Sequence, residues 1–187
     1  DGRYYDKFRG RVIFPIQNTG GKVIGFGGRI IGDGEPKYLN SQESPVFRKK
    51  YNLYGLNLSG AEARKEDAIV LVEGYMDVVS LYQSGVRNVS ASLGTALTEN
   101  QARLIRRYTK NVILSYDADQ AGQNAAMRGL DILYREDCRA KVLKVTEGKD
   151  PDEFVKKNGR RAFQELIENA LPYGDFKLGF VKAKYDL

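Results

Sequence analysis

AIVLVEGYMD, residues Ala68 to Asp77, is the stretch around which the rest of the chain is organised. Ala68 to Val72 is an unbroken apolar run rich in β-branched residues. That composition predicts a strand buried on both faces, as in a parallel sheet. The run stops at Glu73 and Gly74, and Tyr75 to Tyr82 has the pattern of a helix. Glu73 is thereby placed at the carboxyl end of a buried strand, where open α/β sheets bind their ligands. Asp77 follows four residues later, one helical turn on and on the same face.

The same design recurs about forty residues on. Residues 111–116, NVILSY, form a second apolar strand, and it runs into Asp117-Ala-Asp119-Gln-Ala-Gly122. If the two strands are neighbours, three carboxylates converge at one end of the sheet. Carboxylates packed that closely repel one another unless a cation neutralises them. Oxygen ligands with no His or Cys beside them suit a hard ion such as Mg²⁺ or Mn²⁺. The pattern predicts a metal site for phosphoryl chemistry.

The chain of 187 residues carries a net charge of +6, and the excess is unevenly placed. Residues 1–65 hold 12 Lys and Arg against 6 Asp and Glu, whereas residues 66–187 hold 18 of each. A basic flank upstream of a carboxylate cluster fits a nucleic-acid or nucleotide track leading to metal ions, although a solvated basic surface would have the same balance. No apolar run reaches membrane-spanning length and no basic-then-apolar leader opens the chain, so a cytoplasmic protein without membrane contact is expected. The single Cys138 rules out an internal disulfide, and one Cys with no His leaves no ligand set for structural zinc. The start at Asp1 without Met suggests a fragment.

Residues 1–34 have strand patterns broken by Asn18-Thr-Gly-Gly21 and Asp33-Gly34, which are turn signals. Gly25, Gly27 and Gly28 inside a strand point either to close approach of backbone to a ligand or to a twisted sheet that needs small residues. Arg9, Arg11 and Arg29 are candidate phosphate contacts. Residues 35–58 show little periodicity, yet Tyr38, Phe47, Tyr51 and Tyr54 anchor them. Lys37, Asn40, Arg48, Lys49 and Lys50 offer donors to phosphates, bases or sugars there. A short helix over 59–67 precedes the strand at 68–72, and 75–84 is a helix stopped by Gly85. A strand at 87–91 and a connection through Gly94 and Thr95, possible phosphate donors or a plain turn, lead to a helix near 98–108. Thr98 and Gln101 have capping-box spacing. A helix over 120–136, an edge-proximal strand over 139–145 and a helix over 160–171 complete the pattern, with Pro172 opening a helical tail. In Asp150-Pro151-Asp152-Glu153, capping accounts for Asp150 and Glu153, and the helix dipole offers an account of Asp152.

A lone Glu after one strand followed by Asp-x-Asp after a later one resembles the signature of the Toprim domain. EGYMD at 73–77, DADQAG at 117–122, KYLNS at 37–41 and DPDE at 150–153 together resemble the bacterial replicative DNA primases over essentially the whole chain. The resemblance implies an α/β fold: a Toprim-type, mostly parallel sheet flanked by helices, with a β-rich N-terminal subdomain and a helical C-terminal extension. The expected boundaries are 1–65, 66–147 and 148–187.

Its implied activity is DNA-templated synthesis of RNA primers from ribonucleoside triphosphates on single-stranded DNA. Glu73, Asp117, Asp119 and Asp152 would hold Mg²⁺ or Mn²⁺, Lys37 and Lys49 would be catalytic, and Asp77 and Asp150 would support the site. Nucleotide and template would contact Arg9, Arg11, Arg29, Lys37, Tyr38, Asn40, Lys49 and Lys50. Tyr75, Met76, Tyr116 and Met127 are expected to pack. The family also has an N-terminal zinc-binding domain and a C-terminal domain that docks on the replicative helicase. Neither fits in this chain, so a weakly active monomeric fragment is expected. A Toprim nuclease or topoisomerase fragment, or a non-catalytic nucleic-acid-binding module, remains the alternative.

Overall fold

The computed structural model describes residues 2, 4–94, 96–117 and 119–185. Two sheets divide the chain. The first has three strands in the order β1 (Arg11–Gln17), β2 (Val23–Ile30) and β3 (Tyr38–Asn40), each pair antiparallel. Asn18 sets the first turn: its side-chain oxygen accepts the N–H groups of Gly20 at 3.0 Å and Lys22 at 3.1 Å. The glycines of β2 make room for aromatic rings. A Cβ on Gly27 would lie 2.6 Å from the Tyr75 ring, and one on Gly25 would lie 3.1 Å from Phe47. Small residues are needed there for packing, which decides the question their spacing left open.

The second sheet is built from α1 (Leu56–Lys65), β4 (Ile69–Val72), α2 (Tyr75–Ser84), β5 (Val89–Ala91), α3 (Glu99–Arg106), β6 (Asn111–Leu114), α4 (Gln120–Arg135), β7 (Arg139–Val142), α5 (Pro151–Glu168), β8 (Leu171–Pro172) and α6 (Tyr173–Tyr185). Its strand order is β5-β4-β6-β7-β8, parallel except for the two-residue β8. After β5 the chain returns across β4 to form β6 on the other side. The order therefore reverses at the β4–β6 pair, which is where open α/β sheets form a crevice.

All four residues of β4 are buried. Ile69 and Leu71 face a core shared with α1, α3 and α4, through Ala63, Ile105 and Leu130. Val70 and Val72 face the opposite core, with Val78 and Leu81 of α2 and Phe154 and Phe163 of α5. That two-sided burial is the reason for a continuous apolar run. A third cluster of Phe14, Ile16, Phe47, Tyr75 and Leu93 joins the small sheet to the large one. No described helix is long and apolar enough to cross a membrane.

Several boundaries differ from expectation. The helix expected over 59–67 starts earlier, at Leu56, behind Gly55 in the left-handed conformation with φ 80°. The strand expected over 111–116 pairs only to Leu114, although the Ser115 N–H still reaches the Leu71 carbonyl at 2.9 Å. The helix expected from 160 does begin after Gly159, whose φ of 77° separates it from a first helical half that starts at Pro151. Asp150 and Pro151 had signalled that earlier start, because they cap a helix rather than end a loop.

Candidate metal centre

Glu73 leaves the carboxyl end of β4 and Asp117 follows β6, so the parallel pairing of these strands brings the two together. The Asp117 N–H donates to Glu73 Oε1 at 3.1 Å, across the reversal of strand order. Asp119 caps α4, its Oδ1 accepting the Gly122 N–H at 2.7 Å. Gly122 packs directly on the loop, because a Cβ there would strike the Asp117 carbonyl oxygen. One side of the crevice is a cavity of about 270 Å³ bordered by Glu73, Ser92, Tyr116 and Arg128. The Tyr116 hydroxyl is buried and has no hydrogen-bond partner among the described residues.

The first turn of α5 supplies the remaining acids. Asp150 is its N-cap, Oδ1 accepting the Glu153 N–H at 2.8 Å. Glu153 reaches back to the Lys149 N–H at 3.1 Å, one residue upstream of the return bond expected of a capping box. Asp77 is buried at the start of α2 and joins two elements. Its Oδ2 accepts the Gly74 N–H at 3.0 Å and its Oδ1 accepts the Asp152 N–H at 3.3 Å. Asp152 itself accepts from the Ser80 hydroxyl and is paired with Lys156, with Nζ to Oδ2 at 2.8 Å.

Burial and mutual repulsion govern the protonation of these groups. Asp77 is pushed up to about 7, first by burial and then by the charges of Asp150 and Asp117. Asp117 rises to about 6 by burial, with Glu73, Asp150 and Asp119 adding to it. Glu73 is also raised by burial, opposed by the Asp117 N–H and reinforced by Asp119. Carboxylates that resist ionising together form a set that a cation would stabilise, and their oxygen-only chemistry fits a hard divalent ion. The expected convergence is incomplete in one respect. Among the described residues no three of these acids lie close enough to hold an ion between them. The reason is local: Asp119 is turned to cap α4, and Asp152 is engaged by Ser80 and Lys156.

The small sheet approaches this cluster through β2 and β3. The Arg29 guanidinium lies over the Tyr38 ring at 5.7 Å, and the charges of Asp77 and Asp152 both act on the Tyr38 phenol, which burial raises. Asn40 ties three segments together: Tyr75 donates its hydroxyl to Asn40 Oδ1, and Asn40 Nδ2 donates to the Leu93 carbonyl at 3.2 Å. Tyr75 is also stacked on Phe14 at 5.2 Å, as its expected packing role requires. Arg9, in the turn before β1, and Lys37, in the bend before β3, are exposed. Arg11 Nη1 donates to the carbonyls of Gly28 at 3.3 Å and Lys37 at 3.4 Å and so braces the sheet.

Lys49 and Lys50 sit in a 3-10 turn, Lys49–Tyr51, whose carbonyls are held by the α3 cap: Gln101 Nε2 donates to Lys49 at 3.1 Å and Thr98 Oγ1 to Lys50 at 2.8 Å. The Lys50 ammonium lies 5.2 Å from the Tyr51 ring centroid. Thr95 is outside the described residues, and neighbouring Gly94 is exposed. Ser80 carried no signal in the sequence, because its partner Asp152 lies 72 residues away on another helix, whereas Lys156 stands four residues from Asp152 on the same helix, a spacing open to a local reading. Gly122 was legible only as part of the DADQAG string.

The reversal of strand order, with acids at the ends of both central strands, defines a Toprim-like domain, and the Toprim-like family model matches residues 70–155. The model for the N-terminal domain of the DNA primase catalytic core matches residues 1–59. The chain belongs to the bacterial DNA primase family and corresponds to part of its catalytic core. It is 55% identical over 174 residues to the DNA primase of Clostridium acetobutylicum, an alignment covering 93% of this chain and 29% of that protein. The crystal structure of a DNA primase domain from Pseudomonas aeruginosa superposes with a TM-score of 0.91 at 42% identity, covering 98% of this chain and 58% of that one. A primase catalytic domain bound to single-stranded DNA superposes at 0.89 and 42% identity, covering 98% and 60%. The chain spans less than a third of the length of the curated relatives it matches, 29–32% of the first three.

Proposed function

We propose that this chain forms part of a primase active centre that polymerises ribonucleotides into RNA primers on a single-stranded DNA template. The observation that carries the reading is the carboxylate set at the ends of β4 and β6, beside which the basic sheet brings Arg29 and Tyr38 toward Asp77 and Asp152. Glu73 and Asp117, which lie together, would hold Mg²⁺ or Mn²⁺, and Asp119 would join them on leaving its cap on α4. An ion there supplies charge neutralisation to the attacking and leaving oxygens of an in-line nucleotidyl transfer. Glu73 orients the Asp117 backbone through its hydrogen bond and would complete the metal site or act as proton acceptor toward the primer hydroxyl.

Lys37, Lys49 and Arg29 neutralise phosphates of nucleotide and template, and the exposed rings of Tyr38 and Tyr51 offer faces on which bases stack. The primase domain solved with single-stranded DNA supports that choice of template. In the cell the whole protein works in the bacterial cytoplasm beside the replicative helicase. A nuclease or topoisomerase would use the same acids but leaves residues 1–59, with their primase-core match, without a role.

The test is Glu73→Gln in this chain, assayed for ribonucleotide incorporation and, separately, for affinity to a single-stranded oligonucleotide. Incorporation is expected to fall by roughly 100-fold or more, the scale of losing a group that acts at the reacting centre. Oligonucleotide affinity stays within about threefold, because phosphate contacts dominate it. Full activity in the variant sinks the assignment of Glu73.

A further inference from the structure

Asp152 has surroundings unlike those of a metal ligand. Its Oδ1 accepts the Ser80 hydroxyl, and the Lys156 ammonium lies 2.7 Å from Oδ1 and 2.8 Å from Oδ2. Its backbone N–H is taken by Asp77 Oδ1. A divalent ion on this carboxylate would have to displace Lys156 or place two cations on one group. Ser80 is only 6% exposed and lies on the face of α2 that packs on α5, where Val78 and Leu81 meet Phe154 and Val155. A hydroxyl buried at such a seam needs a partner, and Asp152 is the one it has. Asp150 differs: its capping bond involves Oδ1, and its charge acts on both Asp77 and Asp117.

We propose that Asp152 is a positioning residue: Ser80 and Asp77 clasp it to α2, and the clasp sets the first turn of α5 so that Asp150 is the acid this helix presents to the Glu73–Asp117 crevice. Ser80 thereby acquires a role in building the site without touching the reacting groups. The inference rests on the reading of the crevice as a metal site.

The test uses Mn²⁺ alone with this chain, free Mn²⁺ being counted by electron paramagnetic resonance and the thermal midpoint recorded on the same samples. Asn keeps an oxygen for the Ser80 hydroxyl but lacks the charge a hard ion prefers, so it separates clasp from ligand. Asp152→Asn is expected to hold Mn²⁺ affinity within about threefold, while Asp152→Ala lowers it roughly tenfold, the scale on which groups that orient ligands act. Ser80→Ala falls in the same direction as Asp152→Ala, and it carries the test should Asp152→Ala fail to fold. Asp150→Asn loses roughly tenfold or more although Asn still caps the helix well. Equal losses in Asp152→Asn and Asp150→Asn would make Asp152 a ligand and overturn the proposal. So would Asp152→Ala and Ser80→Ala binding as the unaltered chain does. An unaltered chain that binds no Mn²⁺ overturns the metal reading itself, and the clasp with it.

Discussion

Asp77 shows how a single side chain couples the site to stability. Its ordinary value of 3.8 is raised to about 7 by burial and by neighbouring acids, so between those values the folded chain keeps a proton that the unfolded chain releases. The folded state then binds more protons than the unfolded one, and stability falls as pH rises through that window. The contribution is complete below about 4 and lost above about 7. In chelator, the chain should therefore melt higher at pH 5 than at pH 8, by an amount on the order of 2 kcal/mol. Asp77→Asn should flatten that slope in thermal unfolding across a pH series. An unchanged slope would place its origin in other groups. Read from the sequence, Asp77 was a supporting residue of the site with no partner named for it. The structure shows one carboxylate joining the N–H groups of Gly74 and Asp152, which no local pattern could reveal because the second lies 75 residues away.

At the scale of the element, the junction between the Asp117 loop and α4 governs where the acids sit. Gly122→Ala would drive a methyl group into the Asp117 carbonyl, a backbone atom with no easy escape. The variant should lose roughly 1–3 kcal/mol in urea unfolding, the usual scale of overpacking, and bind Mn²⁺ more weakly because the loop must move. Gly179 in α6 is the control, since a Cβ there meets nothing within 4 Å. Gly179→Ala should be neutral or stabilising by about 0.5–1 kcal/mol, because Ala loses less backbone freedom in a helix. A Gly122 variant no less stable than this control would show that the contact is not needed. Element identity was largely legible because periodicity and caps are local: the Thr98–Gln101 capping box and the Gly85 stop appear as expected. The first half of α5 was announced by the Asp150–Pro151 cap, and Gly159 separates it from the second half.

Over the whole molecule, the basic excess of residues 1–65 and the acidic crevice lie side by side, since the small sheet docks through Phe14, Ile16 and Phe47 against Tyr75 and Leu93. Affinity for single-stranded DNA should fall steeply with salt, and Arg29→Gln or Lys37→Gln should each reduce the slope of log K against log salt by about 0.7 if one phosphate contact is lost. Fluorescence anisotropy of a labelled oligonucleotide across a salt series measures this, and unchanged slopes would remove both residues from the track. The sequence by itself determined the α/β class, the two-sided burial of β4 and the placing of Glu73, Asp117 and Asp119 at strand ends. Those features follow from runs and spacings within about ten residues, where chain connectivity fixes geometry. Only the tertiary structure decided that β4 and β6 are neighbours, that the glycines of β2 make room for Phe47 and Tyr75, that Arg11 braces carbonyls, and that Asp152 is bound to Ser80 and Lys156. Most of these are contacts between residues far apart along the chain, and packing rather than local preference chooses their partners.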